Sequence, residues 1–195
     1  MHISWDLPAF RPGFWGVIDK FIGPGATRAE KNIQLFLPFL SSAGVVAVGF
    51  YSEFDWSVVQ YLIIALLAGD MVGGVVTNAT SAAKRWVFRE GEGFREHITF
   101  VAIHLVQIVI FSWVFQGLDL IWIAGVYGLL MTSSVIILKA PLYMQRPVAA
   151  SLYMVALLSS LSIFDAPAHL EWFLPILFYK LLISHLLREE PYQPE

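Results

Sequence analysis

The sequence predicts an all-α, polytopic membrane protein: a six-transmembrane-helix bundle with both termini cytoplasmic. Three observations predict it. The chain is 57% hydrophobic and 14% charged over 195 residues, where a soluble domain carries about 25% charged residues. The apolar residues fall into six stretches of membrane-spanning length. The basic residues gather in alternate connections between those stretches, as orientation across a bilayer requires.

Residues 1–32 read as a cytoplasmic segment. Within it "FWGVIDKFIG" (14–23) sets apolar residues at 14, 15, 17, 18, 21 and 22 around Asp19 and Lys20. It is too short to span and suits an amphipathic helix in the membrane interface, with a plain loop as the alternative. No basic region precedes an apolar run at the start, so no cleavable signal peptide is expected. Residues 33–187 form the membrane domain, with spans at roughly 33–51, 57–80, 97–116, 119–138, 147–164 and 170–187. The short connections predict one antiparallel bundle, and Pro175 predicts a kink in the last span. Residues 188–195 form a cytoplasmic tail.

All twelve Lys and Arg except Lys180 lie on one predicted side. They are Arg11, Lys20, Arg28 and Lys31, then Lys84, Arg85, Arg89 and Arg95, then Lys139, Arg146 and Arg188. The opposite loops, "SEFDW", "QGLD" and "FDAPAHLE", carry acids and no Lys or Arg, so the basic side is the cytoplasm. Trp56, Trp113, Trp122 and Trp172 mark the outer ends, where indoles favour headgroups. This topology points to a plasma membrane, with the bacterial inner membrane as its setting, and to membrane lipids as partners. A net charge of −3 excludes a polybasic nucleic-acid surface. The absence of Cys excludes disulfides, thiolate metal sites and a cysteine nucleophile.

The most informative stretch is "AGDMVGGVVTNATSAAKRW" (68–86), which places Asp70 inside an apolar span. A carboxylate there costs a few kcal/mol unless it faces the bundle or a cavity. At 100° per residue Gly73, Gly74 and Thr77 share its face and Asn78 lies at the edge. In the next span His97 and His104 fall on one face, with Gln107 offset. His104 lies about 10 Å and Asp70 about 15 Å below the cytoplasmic surface, so the two can meet. Asp70 and His104 are the expected acid–base pair; a packing hydrogen bond between helices is the alternative. Asn78 and His97 form an expected shallower layer. Lys180 is expected to snorkel toward the headgroups or to pair with Asp70. Gly73, Gly74, Thr77, Asn78, His97 and Lys180 are the expected substrate-binding residues.

No metal is expected, because His97 and His104 are about 10 Å apart along their helix, too far to share one ion. "KAPLYMQRP" (139–147) resembles the first phosphate-binding motif of one lipid-phosphatase family, K-x6-R-P, but the later elements of that family do not follow. "GEGFREH" (91–97) resembles the plasmalogen-forming desaturases, whose clustered histidine pairs five histidines do not supply. A lysine in the last span opposite an aspartate is similar to the retinal site of rhodopsins, which have seven spans. No nucleophile elbow, zinc-protease motif or phosphate loop is present.

Three functions fit these features. The first is a membrane-embedded enzyme doing acid–base chemistry on an apolar or lipid-like small molecule. The second is a small-molecule or proton-coupled transporter, or its substrate-binding subunit. In size and topology the chain resembles the substrate-capturing components of energy-coupling-factor vitamin importers, which implies such a subunit. The third is a structural subunit of a membrane complex. The stretch 83–97 is expected to be a solvated loop, or a lid hinged at Gly91 and Gly93.

Overall fold

A computed structural model describes residues 1–194. Helices make up most of the chain between Phe14 and His185, and a two-residue antiparallel ladder joins its ends. In order, the elements are β1 (His2–Ile3), α1 (Phe14–Ile22), α2 (Arg28–Tyr51), α3 (Val58–Ala79), α4 (Ser81–Val87), α5 (Phe94–Ile103), α6 (Leu105–Gln116), α7 (Leu120–Lys139), α8 (Leu142–Ser162), α9 (Phe173–Phe178), a π-helical segment (Tyr179–His185) and β2 (Tyr192–Gln193). β1 pairs with β2 with His2 opposite Gln193 and Ile3 opposite Tyr192.

Four helices are long and apolar enough to cross a membrane: α2, α3, the continuous rod of α5 and α6, and α7. The chain is therefore compatible with an integral, multi-pass membrane protein. The two remaining expected spans differ from these four. α8 starts five residues earlier than expected and carries Gln145, Arg146 and Pro147 in its first turns, which dilutes its apolar character. The last apolar helix covers only Phe173–His185. It is enclosed by protein, with Phe173, Leu174, Leu177, Phe178, Leu181 and Leu182 all buried. α3, α7 and α8 pack around it, and Phe111 of α6 stacks on Phe173 at 3.9 Å between ring centroids.

Local sequence explains how the helices start and meet. Thr27 and Glu30 form a reciprocal cap at the start of α2, and Ser57 and Gln60 do the same for α3. α2 packs on α3 through small residues. A Cβ on Gly69 would lie 2.5 Å from Ser42 Oγ, and one on Gly73 would lie 3.0 Å from Pro38 Cγ. Ser41 and Ser42 hydroxyls donate to Ala68 O and Ala65 O at 3.2 and 2.7 Å, tying the two helices together.

The expected interfacial segment is helical as α1, with Phe14, Trp15, Val17 and Phe21 exposed and Asp19 buried. The Arg11 guanidinium holds Asp19 in place, Nη2 to Oδ1 at 2.6 Å, and keeps its carboxyl below the usual range. Gly23 (φ +85°) follows, where any Cβ would strike the backbone of Ala82.

The stretch 83–97 is not a solvated loop. Its first half is α4, and both Lys84 and Arg85 are buried there rather than exposed. The cause is that α4 folds against the end of the last helix. Lys84 Nζ donates to Ser184 O at 2.7 Å and to Leu187 O at 2.5 Å, capping carbonyls that a helix end leaves without partners. Glu30 Oε1 accepts from Ala82 N at 3.0 Å and anchors the other end of α4.

Candidate functional site

One cavity of about 930 Å³ lies between α3, α5 and the π-helical segment. Asp70, Gly73, Gly74, Thr77, Asn78, His97, His104 and Lys180 all line it. α3 is regular over this stretch, so the 3.6-residue repeat carries Asp70, Gly74, Thr77 and Asn78 along one wall. Gly73 also lines the cavity, but a side chain there would meet Pro38 of α2, so the two adjacent glycines serve different neighbours.

Of the two partners expected for Asp70, it bonds to Lys180 and not to His104. Its Oδ2 accepts from Lys180 Nζ at 2.7 Å and from Gln107 Nε2 at 2.6 Å. The Lys180 side chain is 3% exposed and that of Asp70 is 47% exposed, so one ion is buried and the other faces open space. Lys180 thus does not snorkel: its stem crosses α3 at Gly74, where a Cβ would overlap Cε and lie 2.8 Å from Cδ.

His104 makes no hydrogen bond to Asp70, and its own helix breaks locally there. Its backbone N–H bonds to Val101 O in a tight turn instead of reaching Phe100 O. The ring replaces it there, Nδ1 donating to Phe100 O at 2.8 Å. That bond fixes the tautomer and leaves Nε2 as an acceptor.

A second polar cluster lies nearer α4, and His185 is its centre. His97 Nδ1 donates to His185 Nε2 and His185 Nδ1 donates to Asn78 Oδ1, both at 3.4 Å. Phe100 stacks on the His185 ring at 4.0 Å. Asn78 and His97 therefore do share a layer, through a histidine that the sequence pattern did not select. Gln107, noted only as an edge residue, is the other addition.

Lys180 and His185 share the cavity because of the π-helical segment that carries them. In an α-helix two residues five apart point about 140° from each other. A π-helix bonds residue i to i+5, as Leu186 N does to Leu181 O at 3.1 Å, and stacks them on one face. Such turns are frequent at functional sites because they re-aim side chains in this way.

The cavity is also lined by Lys20, Phe21 and Ile22 of α1, by Trp86 of α4 and by Arg89 and Glu92 after it. Arg89 lies over the Trp86 ring, 3.4 Å from its centroid, and is ion-paired with Glu92. Gly91 takes φ +87° in the turn between them. Among the described residues no group of three or more His, Asp or Glu is placed to hold a metal ion.

Chemically, the site offers a carboxylate paired with one ammonium, an imidazole with an open acceptor nitrogen, and a histidine–histidine–asparagine chain. These groups can bind a polar atom and move a proton. No family model matches the chain, and neither a curated protein nor a solved structure shows significant similarity to it.

Proposed function

We propose that this is a six-span membrane protein with both termini cytoplasmic, whose polar cavity is the site of acid–base chemistry on an apolar or lipid-like small molecule. The observation that carries the reading is the asymmetry of the central pair. A packing ion pair is buried at both ends, whereas here Lys180 is buried and the Asp70 carboxylate faces the cavity. In this arrangement Lys180 holds Asp70 in position, and Asp70 exchanges a proton with the substrate. His104 Nε2 is the second proton acceptor. Proton-transfer reactions such as isomerisation or cyclisation fit this set.

The β1–β2 ladder supports the topology. Chain ends that pair with each other lie on one side of a membrane, so the number of crossings is even. Six is the even number that uses the four long helices together with α8 and the last helix. The basic residues then orient the ends toward the cytoplasm of a plasma membrane, the bacterial inner membrane being the setting.

A carrier is the second reading, favoured by the charged Lys20, Arg89 and Glu92 that line the cavity beside α1 and α4. The test is to purify the protein and its Asp70→Asn variant in mild detergent and identify co-purifying small molecules by mass spectrometry. An apolar lipid or isoprenoid bound only by the wild type supports the enzyme. A water-soluble metabolite would point to the carrier. An unchanged profile with lowered thermal stability makes Asp70 a packing residue and ends both readings.

A further inference from the structure

We propose that the cavity opens sideways into the bilayer, between Asp70 on α3 and Ile103 and Val106 on α5 and α6, and that it takes a long-chain alcohol through this opening. The inference rests on the membrane-cavity reading above and names the ligand class of that site.

The opening follows from how the helices pack. α3 packs closely on α2 and on the π-helical segment but only sparsely on α6, which it meets where Gln60 Nε2 donates to Val114 O at 3.4 Å and where Gln107 Nε2 donates to Asp70 Oδ2 at 2.6 Å. From the Asp70–Gln107 bond toward α4, no hydrogen bond joins α3 to α5 among the described residues, and the cavity lies between them. Ile103 and Val106 line the cavity and are also 58% and 61% exposed, so they form its outer rim. Asp70 forms the opposite rim. In a spanning bundle, exposed Ile and Val on a helix of this length face lipid, so the opening faces lipid as well.

The head of the ligand follows from the donors and acceptors left open. Asp70 Oδ2 is taken by Lys180 and Gln107, and Oδ1 has no partner among the described residues. The bond to Asp70 fixes which way the Gln107 amide points, and its Oε1 is left buried without a donor. His104 uses Nδ1 on Phe100 O, so Nε2 is an acceptor. Around Asp70 the open acceptors are thus Asp70 Oδ1, Gln107 Oε1 and His104 Nε2, while Lys180 Nζ keeps N–H donors beyond the one given to Asp70, so the occupant has to donate and also to accept, as a hydroxyl does.

Charge narrows the class further. Asp70 and Lys180 cancel each other. A carboxylate or phosphate head would face Asp70, and an ammonium head would face Lys180, each a like-charge contact in a medium of low dielectric. A hydroxyl donates without either cost. Its chain is left among Phe100, Ile103 and Val106 and the lipid beyond.

The test uses hexadecanol carrying a diazirine in its chain, with the full-length protein in phosphatidylcholine nanodiscs. Photolabelling is expected on peptides within residues 94–116, and unlabelled hexadecanol should compete at least about tenfold better than palmitate or hexadecyltrimethylammonium. Because Asp70→Asn strands a buried lysine, the decisive variant is Val106→Trp, which fills the rim and leaves the ion pair intact. It should cut labelling about tenfold with no change in melting temperature. Equal competition by all three heads, or full labelling in Val106→Trp, overturns the proposal. If palmitate or the ammonium wins instead, the alcohol is wrong while a binding cavity stands. If no probe labels the cavity and nothing co-purifies with the wild type, both readings fall.

Discussion

Gly74→Ala tests the placement of Lys180 most directly. In an exposed or simply packed helix the change stabilises, because Ala is favoured over Gly by about 1 kcal/mol in a helix interior. Here the new methyl would overlap Lys180 Cε and lie 3.0 Å from Nζ. The lysine tail is flexible and can move, but only by leaving Asp70. Breaking a buried pair costs about 3–5 kcal/mol, and the open side of Asp70 brings this to the lower end. The expected net loss is about 2 kcal/mol, or a fall of about 4–8 °C in melting temperature for a chain of this size. In the Lys180→Ala background the obstruction is gone, and the same change should raise the melting temperature by about 2–4 °C. The assay is a double-mutant cycle by thermal unfolding in detergent, with an expected coupling of about 3 kcal/mol. If Gly74→Ala has the same effect in both backgrounds, Lys180 does not cross α3 at Gly74.

Other expectations follow from the surrounding structure. Burial pushes the Lys84 ammonium down to about 8 from its ordinary 10.5. The unfolded chain therefore binds more protons between those values, and stability should rise with pH across that window, by about 1.4 kcal/mol per unit at most. Lys84→Met should flatten that rise in melting temperature between pH 8 and 10; parallel curves for the two proteins would refute the assignment. Glu30→Ala removes the acceptor for both Thr27 N and Ala82 N, and should cost about 1–2 kcal/mol with faster hydrogen exchange at Ala82. Glu30→Gln, which keeps one acceptor, should lose less, and equal losses would argue against the double role.

Much of the cavity was legible in the sequence wherever the backbone is regular. α3 obeys the 3.6-residue repeat, so one helical wheel placed Asp70, Gly74, Thr77 and Asn78 on the wall they occupy. The sequence offers both His104 and Lys180 as partners of Asp70, and what it does not show is which of them bonds to it, for two local reasons. At His104 the helix tightens and the ring spends Nδ1 on Phe100 O. At Tyr179–His185 the helix widens, which no wheel drawn at 100° per residue reproduces. Lys84 and Arg85 show another limit. Counting basic residues assigns a side of the membrane, but it takes each one as solvated, whereas Lys84 is used as an internal cap. The four long apolar helices are legible from composition, and so is the last helix, but not its shortness or that protein surrounds it.

The widened turn also makes chain length a determinant of the site. Removing a single residue between Lys180 and His185, for instance Ile183, would keep every cavity side chain in the protein. If regular α geometry returned as well, the lysine and histidine would stand four residues apart and still share one face, about 40° from each other. Keeping all the residues while losing the wide turn would instead set the two about 140° apart. The number of residues in this segment and the width of its turn therefore have to match, and a change in one without the other takes the site apart although every polar residue remains.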